Sequence, residues 1–534
     1  MNRKTLVLPA VVGLLTPVLA ACGGSGSGGK SGDAIVVGTT DRFTATNDAP
    51  APVDPAYAYD VGSWNILRQT VQTLMAQPRG EGEPEPEAAE SCGFTDTGNE
   101  RYACKLRSGL KFSNGDPVNA AAVKFSIDRA RSLKADSGVF ALLSTIDTVE
   151  TQGDNEVIFH LKTADATFPF KLSTPVAGIV NPKDYEKNKL RDGFQIDGSG
   201  PYTMQAEVQN NELVKATFTK NPDYKGLLTP KNDKVVLESF KDADTMGTAL
   251  DKGDIDVMTR QMSPEQIRKL QNDPTGKINL VEMPGLEIRY LGFNTDASTV
   301  KSKAVRQAMS QVVDRGALVS KVYGSQAQAL YSLVPATITG HTNAFFNKYS
   351  DPSVAKARTL LNKANITTPV KLTLHYTTDH YGSATAKEFE VLKGQLNASG
   401  LFDVSIQGAP WDKFRPAEKK GQYDVYGMGW FPDFPDADNY LAPFLDKDNT
   451  LGSPYDNAEI RSNLIPQSRR EADRLTASKS LTDIQDIVAD DVPILPLWQG
   501  KQYVATREDI TGSEYAMNSS STLQLWELGR GASD

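Results

Sequence analysis

Segments with an apolar residue at every second position are interleaved along this chain with segments that repeat every three to four, and no other feature constrains the fold as much. Ile35-Val36-Val37, residues 156–163 with Val157, Phe159 and Leu161 on one face, and residues 213–219, 235–240 and 370–376 read as strands. Residues 64–75 read as a helix, as do the residues after a capping Asn119 that put Val123, Ile127 and Ala130 on one face. Further helices are expected over residues 303–323, interrupted at Gly316 and stopped at Gly324, and over 354–364, 386–396 and 470–489. Strands alternating with helices demand an α/β architecture. At roughly 150 residues per domain, 534 residues call for three or four lobes.

The first residues predict where that body sits. Arg3 and Lys4 precede an apolar run over residues 6–20, too short to span a bilayer and broken by Pro9 and Pro17, which reads as a signal peptide. Its end, Leu19-Ala20-Ala21-Cys22, resembles a lipobox, with the Cys22 thiol as the atom that would carry lipid, and the glycines and serines that follow read as a tether. Residues 1–21 are therefore expected to be removed and 22–33 to hold the body outside the cytoplasmic membrane, in contact with it through lipid only. That compartment is oxidising. Cys92 and Cys104 lie symmetrically about Gly98, so flanking strands would bring them face to face, and a cross-strand disulfide is expected. Two thiols with no nearby histidine are too few for zinc.

With Lys plus Arg at 57, Asp plus Glu at 66 and a net charge of −9, the chain lacks the cationic excess that a nucleic-acid partner requires. It has no Gly-x-Ser-x-Gly, no phosphate-cradling Gly-x-x-x-x-Gly-Lys-Ser/Thr and no His-Glu-x-x-His, so no enzyme class is supported. The acidic residues 81–87 alternate with turn formers and read as a solvated loop.

Residues 101–117, Arg-Tyr-Ala-Cys-Lys-Leu-Arg-Ser-Gly-Leu-Lys-Phe-Ser-Asn-Gly-Asp-Pro, resemble the signature of the peptide/nickel-type (family 5) extracellular solute-binding proteins of ABC importers. The match continues through Val53-Asp54-Pro55, Val123-Lys124-Phe125-Ser126 with Arg129-Ala130, Gly198-Ser199-Gly200-Pro201-Tyr202, Asn221-Pro222-Asp223-Tyr224 and Gly253-Asp254-Ile255-Asp256-Val257. Leu291-Gly292-Phe293-Asn294, Val305-Arg306-Gln307-Ala308, Asp314-Arg315, Tyr423-Asp424-Val425 and Gly429-Trp430 complete it in order. The cysteine pair and Asn119-Ala120-Ala121 depart from the common pattern. The resemblance implies a periplasmic-binding-protein-like fold of hinged lobes, type II and of the large three-domain cluster, with two crossing interdomain strands. One discontinuous domain would comprise 34–76, 195–291 and 495–534, a second 77–194 and a third 292–494. Ligand would lie between the first and third. Pro117, Gly200 and Gly253 would be turn formers, and Arg107 would pin a strand.

The resemblance also implies the cargo and partners: a peptide, ABC permease subunits with their cytoplasmic ATPases, no cofactor, and a monomeric binder. In peptide-recognising members an acid shortly after the Gly-Trp pairs with the ligand ammonium, and Asp433 holds that position. Trp411 matches a tryptophan lining the cleft, and reads equally as a core aromatic at a strand-to-helix junction. Trp430 reads as support for the loop as much as a contact. Asp436 and Asp438 read as solvated loop charges, too irregularly spaced with Asp433 for a calcium loop. Alternative cargoes in the same fold are nickel or another metal chelate, for which His375 and His380 beside a strand end would matter, and oligosaccharides.

Overall fold

The computed structural model describes residues 34–531 except 48, 80–81, 136–138, 448 and 450. The signal peptide, Cys22 and the tether lie outside the described residues. No helix among them is long and apolar enough to cross a membrane.

Three sheets organise the chain. A seven-stranded sheet runs in the order Ile278–Met283, Gln502–Arg507, Val257–Met258, Ile35–Thr39, Lys234–Ser239, Glu212–Lys220, Tyr202–Gln209. A six-stranded sheet runs Ala327–Ala329, Ile494–Gly500, Ile288–Phe293, Val425–Trp430, Val370–Thr377, Phe402–Ala409. A four-stranded sheet is confined to Ala89–Phe94, Arg101–Leu106, Glu156–Leu161 and Ile146–Gln152. The described chain crosses between the seven- and six-stranded sheets twice, between Met283 and Ile288 and between Gly500 and Gln502, so two neighbouring connections join these two bodies. Ile288–Phe293 and Ile494–Gly500 are buried at every position and lie side by side in the six-stranded sheet. Sheet membership therefore changes a few residues before 292 and a few after 494.

Two large apolar cores result. The six-stranded body closes around Leu291, Leu374, Leu392 and Leu495. The four-stranded sheet shares one core with the seven-stranded body, where Ile35, Ile66 and Leu74 meet Tyr102, Phe112 and Phe159. A buried ion pair adds to that union: Arg129 donates to both oxygens of Asp54 at 2.8 and 2.6 Å, and to the carbonyls of Glu186 and Lys189. Gly200 is required where its loop meets the end of the first helix, since a Cβ there would sit 2.5 Å from the Thr70 carbonyl carbon.

Most local signals are realised. Asn119 Oδ1 accepts from the Ala122 amide at 3.0 Å and caps Ala120–Leu133, with Val123, Ile127 and Ala130 buried. Three boundaries differ. The helix expected over 64–75 is Val61–Thr70, because Asp60 caps it early and Val71 is already extended. The 303–323 segment is two helices, Lys303–Val312 and Arg315–Val322, since Asp314 caps the second and Gly316 lies inside it. Likewise Asp473 starts Arg474–Asp491 as a helix separate from Ile465–Arg470. The acidic segment departs further: Glu87 is buried, where it accepts from the Tyr224 hydroxyl and the Leu227 amide at 2.6 Å each and from Gln72 at 3.1 Å. Arg107 holds the same stretch, donating to the Glu87 carbonyl at 2.6 Å.

Cys92 and Cys104 occupy facing register positions, with Cα atoms 4.1 Å apart, and are joined by a disulfide. Closing so short a loop removes about 2–4 kcal/mol of unfolded-state freedom. Reduction should lower the denaturation midpoint accordingly while leaving the fold intact at room temperature. Non-reducing peptide mapping should recover the linked pair, and two freely alkylated thiols would contradict it.

Candidate functional site

A cleft of about 1430 Å³ lies between the seven- and six-stranded bodies. Pockets for drug-sized ligands run to about 1,000 Å³, so an extended ligand of several residues fits this one. One wall carries Tyr59, Asp60 and Arg68 around the helix Val61–Thr70, and the other carries Trp411, Trp430 and Asp433.

Asp433 follows the strand Val425–Trp430, where Pro432 and Pro435 exclude helix until Asp438–Leu445 begins. Its half-buried carboxylate accepts from the Tyr59 hydroxyl at 3.0 Å and from Asn439 Nδ2 at 2.9 Å, both at Oδ2, and Oδ1 has no partner among the described residues. Asn439 organises the turn, since its Oδ1 accepts from the Asp433 amide at 2.8 Å and from Trp430 Nε1 at 3.3 Å. Burial raises the Asp433 carboxyl to about 6, against the opposing pull of Asn439, Tyr59, Arg68 and Lys171. The site is thus a carboxylate partly shielded from water and only partly compensated, which favours an incoming cation.

Trp430 is buried, edge-on to Phe444 with centroids 5.5 Å apart, and holds Asn439 in place. Trp411 opens the helix Trp411–Lys419 and stacks face to face on His380, with centroids 3.8 Å apart and planes 5° from parallel. Burial and the nearby Arg289 and Arg260 lower His380 to about 4, so its ring is neutral at neutral pH and serves as an aromatic surface. His375 stacks instead on Tyr423. Among the described residues no three metal-ligating side chains come together.

Arg289 lies against the sheet at Gly429, where a Cβ would collide with its guanidinium, and it is paired with Glu287 and faces the Tyr381 ring at 4.0 Å. Contacts also cross the cleft: Gln261 Nε2 donates to the His380 carbonyl at 3.1 Å, and Arg260 lies 5.2 Å over Phe431.

Asp436 and Asp438 correct the expectation of solvated charges. Asp436 is buried and accepts two bonds from Arg474, at 2.7 and 2.9 Å, while Asp438 is buried and accepts two from Arg469, at 2.9 and 3.1 Å. They anchor the loop that presents Asp433. Tyr59, Arg68, Asn439 and Arg289 carry no sequence signal as site residues; only Asn439 falls in the segment singled out, beside the aspartates.

The sequence profile of the bacterial extracellular solute-binding proteins, family 5 Middle, matches residues 83–452. The chain belongs to this family. It aligns with curated relatives over nearly their whole length. The chain is 25% identical over 529 residues to the oligopeptide-binding protein OppA of Bacillus subtilis (strain 168), covering 93% of this chain and 94% of that one. It is 26% identical over 524 residues to the glutathione-binding protein GsiB of Escherichia coli (strain K12), covering 96% of each. Among solved structures, the periplasmic binding protein DppA of Helicobacter pylori, in complex with the peptide STSA, superposes with a TM-score of 0.78 at 22% identity, over 93% of this chain and 98% of that one. This family-5 chain therefore has the hinged α/β fold of periplasmic binding proteins, and its family binds solutes outside the cell.

Proposed function

We propose that this chain captures peptides in the cleft, closes its two bodies over them and delivers them to ABC permease subunits with their cytoplasmic ATPases. The single observation that carries the reading is the Asp433 carboxylate, half-buried and facing a cleft large enough for several residues. Peptides vary in side chain but share an ammonium and a backbone; a half-buried carboxylate reads the first, and a roomy cleft tolerates the variation. The Trp411–His380 stack offers an apolar face for a side chain. The names of the relatives support a peptide or peptide-like cargo. Mass spectrometry of ligand released from gently purified protein should find peptides with free amino ends. Recovery of a metal chelate or an uncharged sugar in their place would overturn the reading.

Binding should depend on pH with a defined sign. An ammonium pairs with ionised Asp433, so affinity should be steady above about pH 6 and fall about tenfold per unit below it, while N-acetylated peptides show no such slope. Calorimetry between pH 4.5 and 7.5 reads this, and identical profiles for both ligands would contradict it. The same raised carboxyl binds more protons folded than unfolded, so its ionisation lowers stability as pH rises from about 4 to about 6.

The remaining part of the reading is the anchor. Lipid on Cys22 would keep a monomeric body at the cell membrane on its glycine-rich tether. Cys22→Ala should release the protein in soluble form, and unchanged membrane retention would count against lipidation.

A further inference from the structure

The arginines that line the cleft are nearly all neutralised by the protein itself. Arg260 pairs with Asp41 at 3.1 Å, Arg289 with Glu287, Arg415 with Glu418 and Arg42 with Glu212. Arg68 differs: no carboxylate lies within ion-pair distance of it among the described residues. One nitrogen donates to the Ser173 carbonyl at 3.2 Å, and the guanidinium lies 5.8 Å over the Trp64 ring one turn earlier in the helix. A carbonyl and a ring hold its plane, and donors of its fork stay uncommitted. Burial without a compensating anion lowers its pKa to about 10, with Asp433 the charge that opposes the shift. Once a ligand ammonium neutralises Asp433, Arg68 is left partly buried with no paired counter-charge among the described residues. Cations outnumber carboxylates along this lining, in a chain whose net charge is −9.

We propose that Arg68 is a carboxylate subsite, holding through its forked N–H donors a ligand carboxylate that lies close to the ammonium seated on Asp433. The inference rests on the peptide reading and narrows it to peptides acidic at the amino end or short enough for their own C-terminus to reach. These two sources share one chemistry, and matched ligand pairs separate them. Asp-Ala-Ala against Asn-Ala-Ala tests a side-chain carboxylate; Ala-Ala against its C-terminal amide tests the chain end.

Calorimetry on wild type should show the charged member of at least one pair bound about tenfold tighter, the scale of a charge-assisted bond. In Arg68→Gln that ratio should collapse to about one, and in Arg68→Lys, which keeps the charge and loses the fork, it should fall between. Ratios near one for both pairs in wild type overturn the proposal without any variant, and so does a ratio that survives in Arg68→Gln. If peptides bind but show no preference, the carboxylate subsite alone fails. If no peptide of either pair binds wild type, the peptide reading fails and takes this subsite with it.

Discussion

Asp433→Asn should weaken free-amine peptides by at least about tenfold and N-acetylated peptides far less. The carboxylate is partly buried and held by Tyr59 and Asn439, so its geometry is set before ligand arrives. Losing one partner of a buried, hydrogen-bonded charge pair costs about 2–5 kcal/mol, whereas an exposed contact costs under about 1. Tenfold is about 1.4 kcal/mol and marks the lower bound of the expected loss. Asparagine keeps the shape of the side chain and its capacity to accept from Tyr59, which limits the change to charge. Calorimetry on wild type and variant, each with free and acetylated peptide, isolates the ammonium–Asp433 interaction as a double-mutant cycle does. Equal losses for the two ligands would mean that Asp433 supports its loop and does not hold the ligand.

A large stability effect is expected three residues later. Asp436→Asn removes the charge that two Arg474 bonds engage in a buried site, leaving the guanidinium without its directly bonded carboxylate. Breaking a buried pair from one side costs about 3–5 kcal/mol. The loss should appear as a lower denaturant midpoint, and Asp436→Asn combined with Arg474→Gln should cost less than the sum of the single changes. Additive losses would show that the two residues act independently. Because this pair anchors the 433–438 loop, the single variant should also weaken peptide binding.

Local signals told most about the elements. An Asn at 119 followed by apolar residues three to four apart specified a capped helix, and alternation at Val157, Phe159 and Leu161 specified a strand, because both patterns report the backbone conformation of consecutive residues. The spacing of Cys92 and Cys104 was legible for the same reason: a hairpin register depends on residues a few positions apart. Asp314 and Asp473 were missed as helix starts because apolar periodicity runs on across a break, while a cap depends on one side chain turning back to an amide.

The amino-acid sequence by itself determined the α/β class and the ordered motifs of the family, and through that resemblance it put Asp433 forward as the candidate, whose position after Gly429-Trp430 is a local fact. Only the tertiary structure decided what surrounds that carboxylate. Tyr59 reaches it from 374 positions away in the chain, Arg474 turns Asp436 from an apparent loop charge into a buried anchor, and Arg68 lines the same cleft with no carboxylate within ion-pair distance among the described residues. The physical reason is that periodicity encodes which face of an element is apolar, whereas the energy of a charge depends on the water and partners left around it once distant segments have packed.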